Sequence, residues 1–143
     1  MKADFTRRYR MSASHRLHCD AYSEEENRAV YGKCNNPHGH GHNYLLEVTV
    51  SGPVDAETGM VMNMVELDAV VRDEVVERFH LQNLNLDALF AREVPTTENL
   101  CRAVYRLLKG RIHQARLKRV RIEETSNNFF EYAGEGAGEN GPE

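Results

Sequence analysis

No stretch of this 143-residue chain is apolar for long enough to cross a membrane as a helix, which takes about 20 such residues. Positive charge is not in excess either: 18 Lys and Arg stand against 22 Asp and Glu, a formal net charge of -4. A nucleic-acid partner would want a basic face, so none is expected. Three of the acids, Glu135, Glu139 and Glu143, fall in the last eleven residues, which leaves the body nearly neutral. Cysteine is scarce and odd in number. Cys19, Cys34 and Cys101 have no zinc-ribbon spacing, and the first eight residues carry no apolar signal core. Free thiols and a cytoplasmic location are the expectation. No internal repeat occurs, and the length suits one core. Residues 1–132 are assigned to a single domain and 133–143, rich in Gly and Glu, to an acidic disordered tail.

What the chain does have is concentrated between Gly32 and Asn43, where three histidines alternate with glycines behind a cysteine: Cys34, then His38, His40 and His42. If a strand runs on from Asn43, side chains two apart share a face, so His40 and His42 project together past a bulk-free Gly41. Zinc takes about four ligands, and a catalytic site leaves one position open. A third protein ligand has to come from elsewhere.

Alternation predicts a first strand from Asp4 to His15, with Phe5, Tyr9, Met11, Ala13 and His15 on the apolar parity and Arg7 as its exception. A single histidine in such a place is more often a packed core residue than a ligand. Ser23 with Glu26 has capping-box spacing for a short helix. Tyr44, Leu46, Val48 and Val50 share parity with His40 and His42, which puts the pair at the end of a buried strand face. Asn63 with Glu66 caps a helix that carries Met64, Leu67, Val70, Val71, Val75 and Phe79. Residues 80–94 read as irregular. A second long helix starts at Pro95-Thr96-Thr97-Glu98 and runs to about His113. Residues 118–125 and 129–132 form a hairpin about Ser126-Asn127-Asn128. In it Glu124 continues the inward parity of Val120 and Ile122, so it is either a strand-end carboxylate in solvent or an anchor that accepts two hydrogen bonds from an amino-pyrimidinone edge.

Taken in order, Ser12-Ala13-Ser14-His15, Gly32-Lys33-Cys34-Asn35-Asn36-Pro37, the His-Gly-His triplet, Gly59-Met60-Val61-Met62-Asn63, Pro95-Thr96-Thr97-Glu98-Asn99 and Glu124-Thr125-Ser126-Asn127-Asn128 resemble the 6-pyruvoyltetrahydropterin synthase family over nearly the whole chain. The resemblance implies an α+β tunnelling fold: a four-stranded antiparallel sheet with two helices on one face, trimerising into a β-barrel and stacking as a hexamer. It implies His15, His40 and His42 as zinc ligands, Cys34 as the proton-abstracting residue, and Thr96, Thr97 and Glu124 as the pterin pocket. The implied reaction takes 7,8-dihydroneopterin triphosphate, eliminates triphosphate and rearranges the side chain, with Zn2+ and no redox cofactor. A thiol beside a dication and histidines is expected to gain thiolate character.

Two features keep alternatives open. The related 6-carboxytetrahydropterin synthases of queuosine biosynthesis usually place three residues between cysteine and His-Gly-His; here five separate Cys34 from His40, which favours the pyruvoyl enzyme. Where the family usually has an Asp-His dyad, this chain has His80-Leu81. His80 either takes the aspartate's place or, if the loop slips by one, the histidine's, and either way its carboxylate partner is gone. His80 is carried as a catalytic candidate, and a pterin-binding paralogue without turnover as the alternative. His18 and His38 are spare imidazoles, each an alternate ligand, a triphosphate contact or a solvated loop residue.

Overall fold

A computed structural model describes residues 1–136 of the chain. Alternating residues build two long strands, β1 (Lys2–His15) and β2 (His40–Pro53), paired antiparallel in one register that sets His15 opposite His40 and Ala13 opposite His42. The short helix α1 (Glu24–Tyr31) lies between them, started by the expected capping box: Ser23 Oγ accepts from Glu26 N–H at 3.1 Å, and Glu26 accepts from Ser23 N–H at 3.2 Å. A 3-10 turn over Gly32–Asn35 follows.

The next helix runs as α2 (Met64–Val71), a π turn (Arg72–Val76) and α3 (Glu77–Phe79). Its innermost residues, Leu67, Val71, Val75 and Phe79, are all fully buried and spaced by four. On a 3.6-residue helix such a row drifts by roughly 40° per turn, and a wider π turn takes the drift back. Asn63 caps this helix by accepting from Val65 N–H at 2.8 Å; Glu66 does not close a box but accepts from Gln114 at 3.3 Å.

The segment read as irregular contains a two-residue strand, β3 (Gln82–Asn83), and 3-10 turns at Leu84–Leu86 and Ala88–Phe90. Helix α4 (Thr97–Lys109) starts at the Thr96 cap, and β4 (Arg116–Thr125) and β5 (Asn128–Tyr132) complete the sheet. The sheet is therefore five-stranded and mixed, in the order β3-β1-β2-β4-β5, because β3 pairs parallel with Ala13 and Ser14 at the edge of β1. The expected four antiparallel strands are its other members.

The long helices cover one sheet face, over a core of Met11, Leu46, Val48, Val50, Val120 and Ile122 with Leu100, Val104 and Leu108. Each such side chain fully buried contributes about 1.5–3 kcal/mol. Arg7, the misfit of the apolar parity, meets an acid on that face: its guanidinium donates twice to Asp68 of α2 at 3.0 Å, and Tyr9 Oη donates to the same carboxylate at 2.7 Å. The other face is polar, with Asp4, Thr6, Arg8 and Arg10 exposed. Of the expected tail, residues 133–136 are described: Glu135 accepts from Tyr132 Oη at 2.8 Å and lies 3.8 Å from Arg106. Residues 137–143 fall outside the described residues.

Candidate metal centre

The β1–β2 register brings His15 to the pair His40 and His42, and the three ring nitrogens converge. His15 Nε2 is 3.2 Å from His40 Nε2, which is 2.9 Å from His42 Nε2. The rings stand nearly perpendicular, at interplanar angles of 77° and 85°. A tetrahedral ion with bonds of about 2.0–2.1 Å needs about 3.3 Å between its ligand nitrogens, so small adjustments of the rings suffice to hold one.

Protonation also fits. Pro95 O can only accept, so its 2.8 Å contact with His15 Nδ1 places the proton there and leaves His15 Nε2 a bare lone pair aimed at the other rings. Burial lowers the pKa of His15 and of His40, with the neighbouring imidazoles acting the same way, which favours the neutral ligand form. His40 Nδ1 is buried with no hydrogen-bond partner among the described residues; an ion at Nε2 would fix its proton on Nδ1. The three histidines thus form a cluster that could hold a metal ion.

The glycine this cluster requires is Gly39 rather than Gly41. Gly39 has φ +73°, and a Cβ there would lie 2.9 Å from His15 O, whereas a Cβ on Gly41 meets nothing closer than Ala13 O at 3.7 Å.

Glu124 lies beside the cluster, with Oε2 4.0 Å from His42 Nε2. The β4–β5 register shifts between Glu123 and Thr125, so Glu124 is left out of that ladder, and its side chain is 17% exposed rather than in solvent. It accepts from Thr97 Oγ1 in a short contact and from Asn128 Nδ2 at 3.4 Å. The Pro95-Thr96-Thr97 run serves three ends at once: Pro95 O holds His15, Thr96 Oγ1 caps α4 by accepting from Asn99 N–H at 3.2 Å, and Thr97 reaches Glu124.

Cys34 shares with His40 and His42 the wall of an open cavity of about 960 Å³. Burial and then the Glu124 carboxylate push its thiol up. The cavity also carries Arg16, Arg28 and Lys33, three cations the sequence reading passed over although Arg16 follows His15 and Lys33 precedes Cys34. Tyr44 was missed as well: apolar parity had marked it as core, and it is 1% exposed with its ring 5.6 Å from that of His42.

His18 lines the cavity and lies 3.1 Å from Asn35 Nδ2, while His38 is exposed; neither belongs to the metal-competent cluster. His80 lies apart. Its Nδ1 accepts from Ser12 N–H at 3.0 Å and Leu81 N–H donates to Ser12 O at 2.6 Å, so the pair clamps the edge of β1 and does not line the Cys34 cavity. Leu81 is 75% exposed at φ 60°.

The 6-pyruvoyl tetrahydropterin synthase family model matches residues 4–135. Over 135 residues the chain is 42% identical to the 6-pyruvoyl tetrahydrobiopterin synthase of Homo sapiens, covering 94% of this chain and 93% of that protein. It is 38% identical over 94 residues to a putative 6-carboxy-5,6,7,8-tetrahydropterin synthase of Archaeoglobus fulgidus, covering 64% and 73%. The solved structure of the Caenorhabditis elegans 6-pyruvoyl tetrahydropterin synthase superposes with a TM-score of 0.89 at 37% identity, covering 94% of this chain and 96% of that one.

Proposed function

The chain belongs to the 6-pyruvoyl tetrahydropterin synthase family, and from that membership we propose that it is a zinc enzyme converting 7,8-dihydroneopterin triphosphate to 6-pyruvoyltetrahydropterin and triphosphate. The observation that carries the reading is the meeting of three imidazole nitrogens beside the cavity that Cys34 lines, with Glu124 next to His42.

Zinc, when bound, supplies Lewis acidity to the substrate's side-chain oxygens at the position three histidines leave free. The chain's own residues do the rest. Glu124 accepts two hydrogen bonds from the amino-pyrimidinone edge, while Thr97 holds its carboxylate and Thr96 fixes the start of α4. Arg16, Arg28 and Lys33 give the triphosphate its counter-charge. Cys34 takes the proton from the side-chain carbon that faces it. Since burial and Glu124 raise its thiol, the thiolate depends on a cation held by the neighbouring histidines. Oxidation of one side-chain carbon is matched by reduction elsewhere in the substrate, so no external redox cofactor is required.

We place the active unit in a closed hexamer of two stacked trimers, where six copies of 16.4 kDa make about 98 kDa. Support comes from the β1 edge, which β3 covers only at Ala13 and Ser14, and from the solvent-facing polar side of the sheet. In that assembly the free Nε2–H of His80 serves as a proton donor at a neighbouring subunit's cavity. A cytoplasmic setting accords with three free cysteines. Sedimentation at micromolar concentration should give the hexamer, and a monomer would contradict this assembly.

One observation favours a second reading: with His80 Nδ1 committed to Ser12 and an exposed leucine beside it, the chain could be a binding paralogue without turnover. The deciding experiment is incubation of zinc-loaded protein with 7,8-dihydroneopterin triphosphate and identification of the pterin by mass. A pyruvoyl product supports the proposal, a carboxy product moves the chain to the queuosine-type reaction, and no product with tight pterin binding leaves the paralogue.

A further inference from the structure

The Tyr44 hydroxyl is an uncommitted donor in the buried layer beneath the carboxylate anchor. Tyr44 is 1% exposed, and its Oη has no hydrogen-bond partner among the described residues. Leu45 pairs with Glu123 and Leu46 with Ile122, so one further step in that register sets Tyr44 opposite Glu124 on the inward face. Burial and then the Glu124 charge raise the pKa of its phenol, while the Thr97 side chain stands near enough to act on it as a hydrogen-bond partner, short of the geometry of a formed bond. A buried hydroxyl without a partner is costly, so its surroundings matter.

Thr97 supplies the complementary vacancy. Its hydroxyl has a single hydrogen, and because a carboxylate only accepts, that hydrogen goes to Glu124 Oε2. Among the described residues no donor makes a formed hydrogen bond to the lone pairs of Thr97 Oγ1, in a residue only 2% exposed. A phenol is protonated at neutral pH, its ordinary pKa being about 10, and can donate there. An acceptor short of a donor thus stands beside a donor short of an acceptor.

We propose that Tyr44 is a positioning residue for the heterocycle anchor: its hydroxyl donates to Thr97, fixing the direction in which Thr97 donates to Glu124 and so holding the carboxylate as a pure acceptor for a ligand edge with two parallel N–H groups. This rests on the reading of Glu124 as the pterin anchor. The relay runs one way, from Tyr44 through Thr97 to Glu124. Tyr44 itself does not touch the ligand.

The test is the affinity of zinc-loaded protein for 7,8-dihydroneopterin, which lacks the triphosphate and so reports on the heterocycle end alone. Tyr44→Phe keeps the ring against His42, so metal content should stay at the wild-type level while binding weakens by roughly 2- to 10-fold, the net worth of one hydrogen bond. In a Thr97→Val background the same substitution should cost nothing further, because the relay is already cut. An equal loss in both backgrounds would overturn the relay, as would loss of metal with Tyr44→Phe, which would make the phenol a support for His42 instead. Glu124→Gln in the same assay separates the two claims: weak binding by Glu124→Gln with unchanged binding by Tyr44→Phe removes only the relay, whereas unchanged binding by Glu124→Gln removes the anchor and the relay with it.

Discussion

The candidate metal centre and the His80–Asn83 edge hold their histidines in different ways. At the centre, His15, His40 and His42 project from two strands locked in a single register, and the start of α4 fixes His15 through Pro95 O. At the edge, His80 follows the last turn of α3, its N–H donates to Val76 O at 2.9 Å, and its ring is held by a single contact with Ser12 N–H beside the Leu81 N–H bond to Ser12 O. A histidine in a long ladder cannot move without breaking its neighbours' bonds, whereas one in the short link between α3 and a two-residue strand can be re-aimed by a change of a few dihedrals. The first arrangement suits a metal, and the second leaves its imidazole easier to re-aim.

The largest expected effect sharpens this contrast at the centre. His42→Ala should lower metal affinity by more than the 10- to 100-fold typical of an outer-shell change, dropping occupancy after mild dialysis from near one ion per chain to near none. Elemental analysis reads this directly, and full occupancy in the variant would refute the ligand assignment. Next, His80→Ala should leave metal content intact and cut turnover by about 10²–10⁴-fold, the usual loss on removing an acid or base. A change of less than tenfold would break the comparison in its functional half and leave His80 as an edge clamp.

Glu124→Gln should weaken pterin binding by about 10- to 100-fold, since a charge-assisted bond in a buried pocket is worth roughly 1.5–3 kcal/mol and an amide turns one acceptor into a donor. Isothermal titration with 7,8-dihydroneopterin would measure it. The smallest effect concerns the edge alone. Asp87 accepts two hydrogen bonds from Arg78, at 2.9 and 2.8 Å, and so ties the 3-10 turns after β3 back to α3. Arg78 holds the Asp87 carboxyl below its ordinary value of 3.8, so this stabilisation is complete above that value and is lost as pH falls through the lower folded value. With Arg78 35% exposed the pair is worth about 0.5–1 kcal/mol. Asp87→Asn should therefore speed amide exchange at Leu81 near neutral pH and have no effect once the wild-type carboxyl is protonated.

Much of both regions was legible as pattern. Alternation gave β1, β2 and the hairpin because half-buried strands expose every second residue, and the Ser23–Glu26 capping spacing marked α1. Parity also placed Glu124 inward, since a strand carries its alternation to its last residue. Less was legible where the period changes. The π turn, the two-residue β3 and the register shift beside Glu124 each insert or omit a residue, and a period read along the chain has no means to register that.

By itself the sequence determined the pieces: which side chains share a face, where helices begin, and that a Cys followed by His-Gly-His carries two imagined ligands on one strand. Only the tertiary structure decided which pieces meet. Pairing of His15 with His40 depends on a register set over fourteen residues of each strand, Gly39 is required because His15 O closes to within 2.9 Å of its would-be Cβ, and Arg7 is accommodated because Asp68 lies above it on another element. Those are distances between residues far apart in the chain, and they follow from packing the helices on the sheet rather than from any local preference.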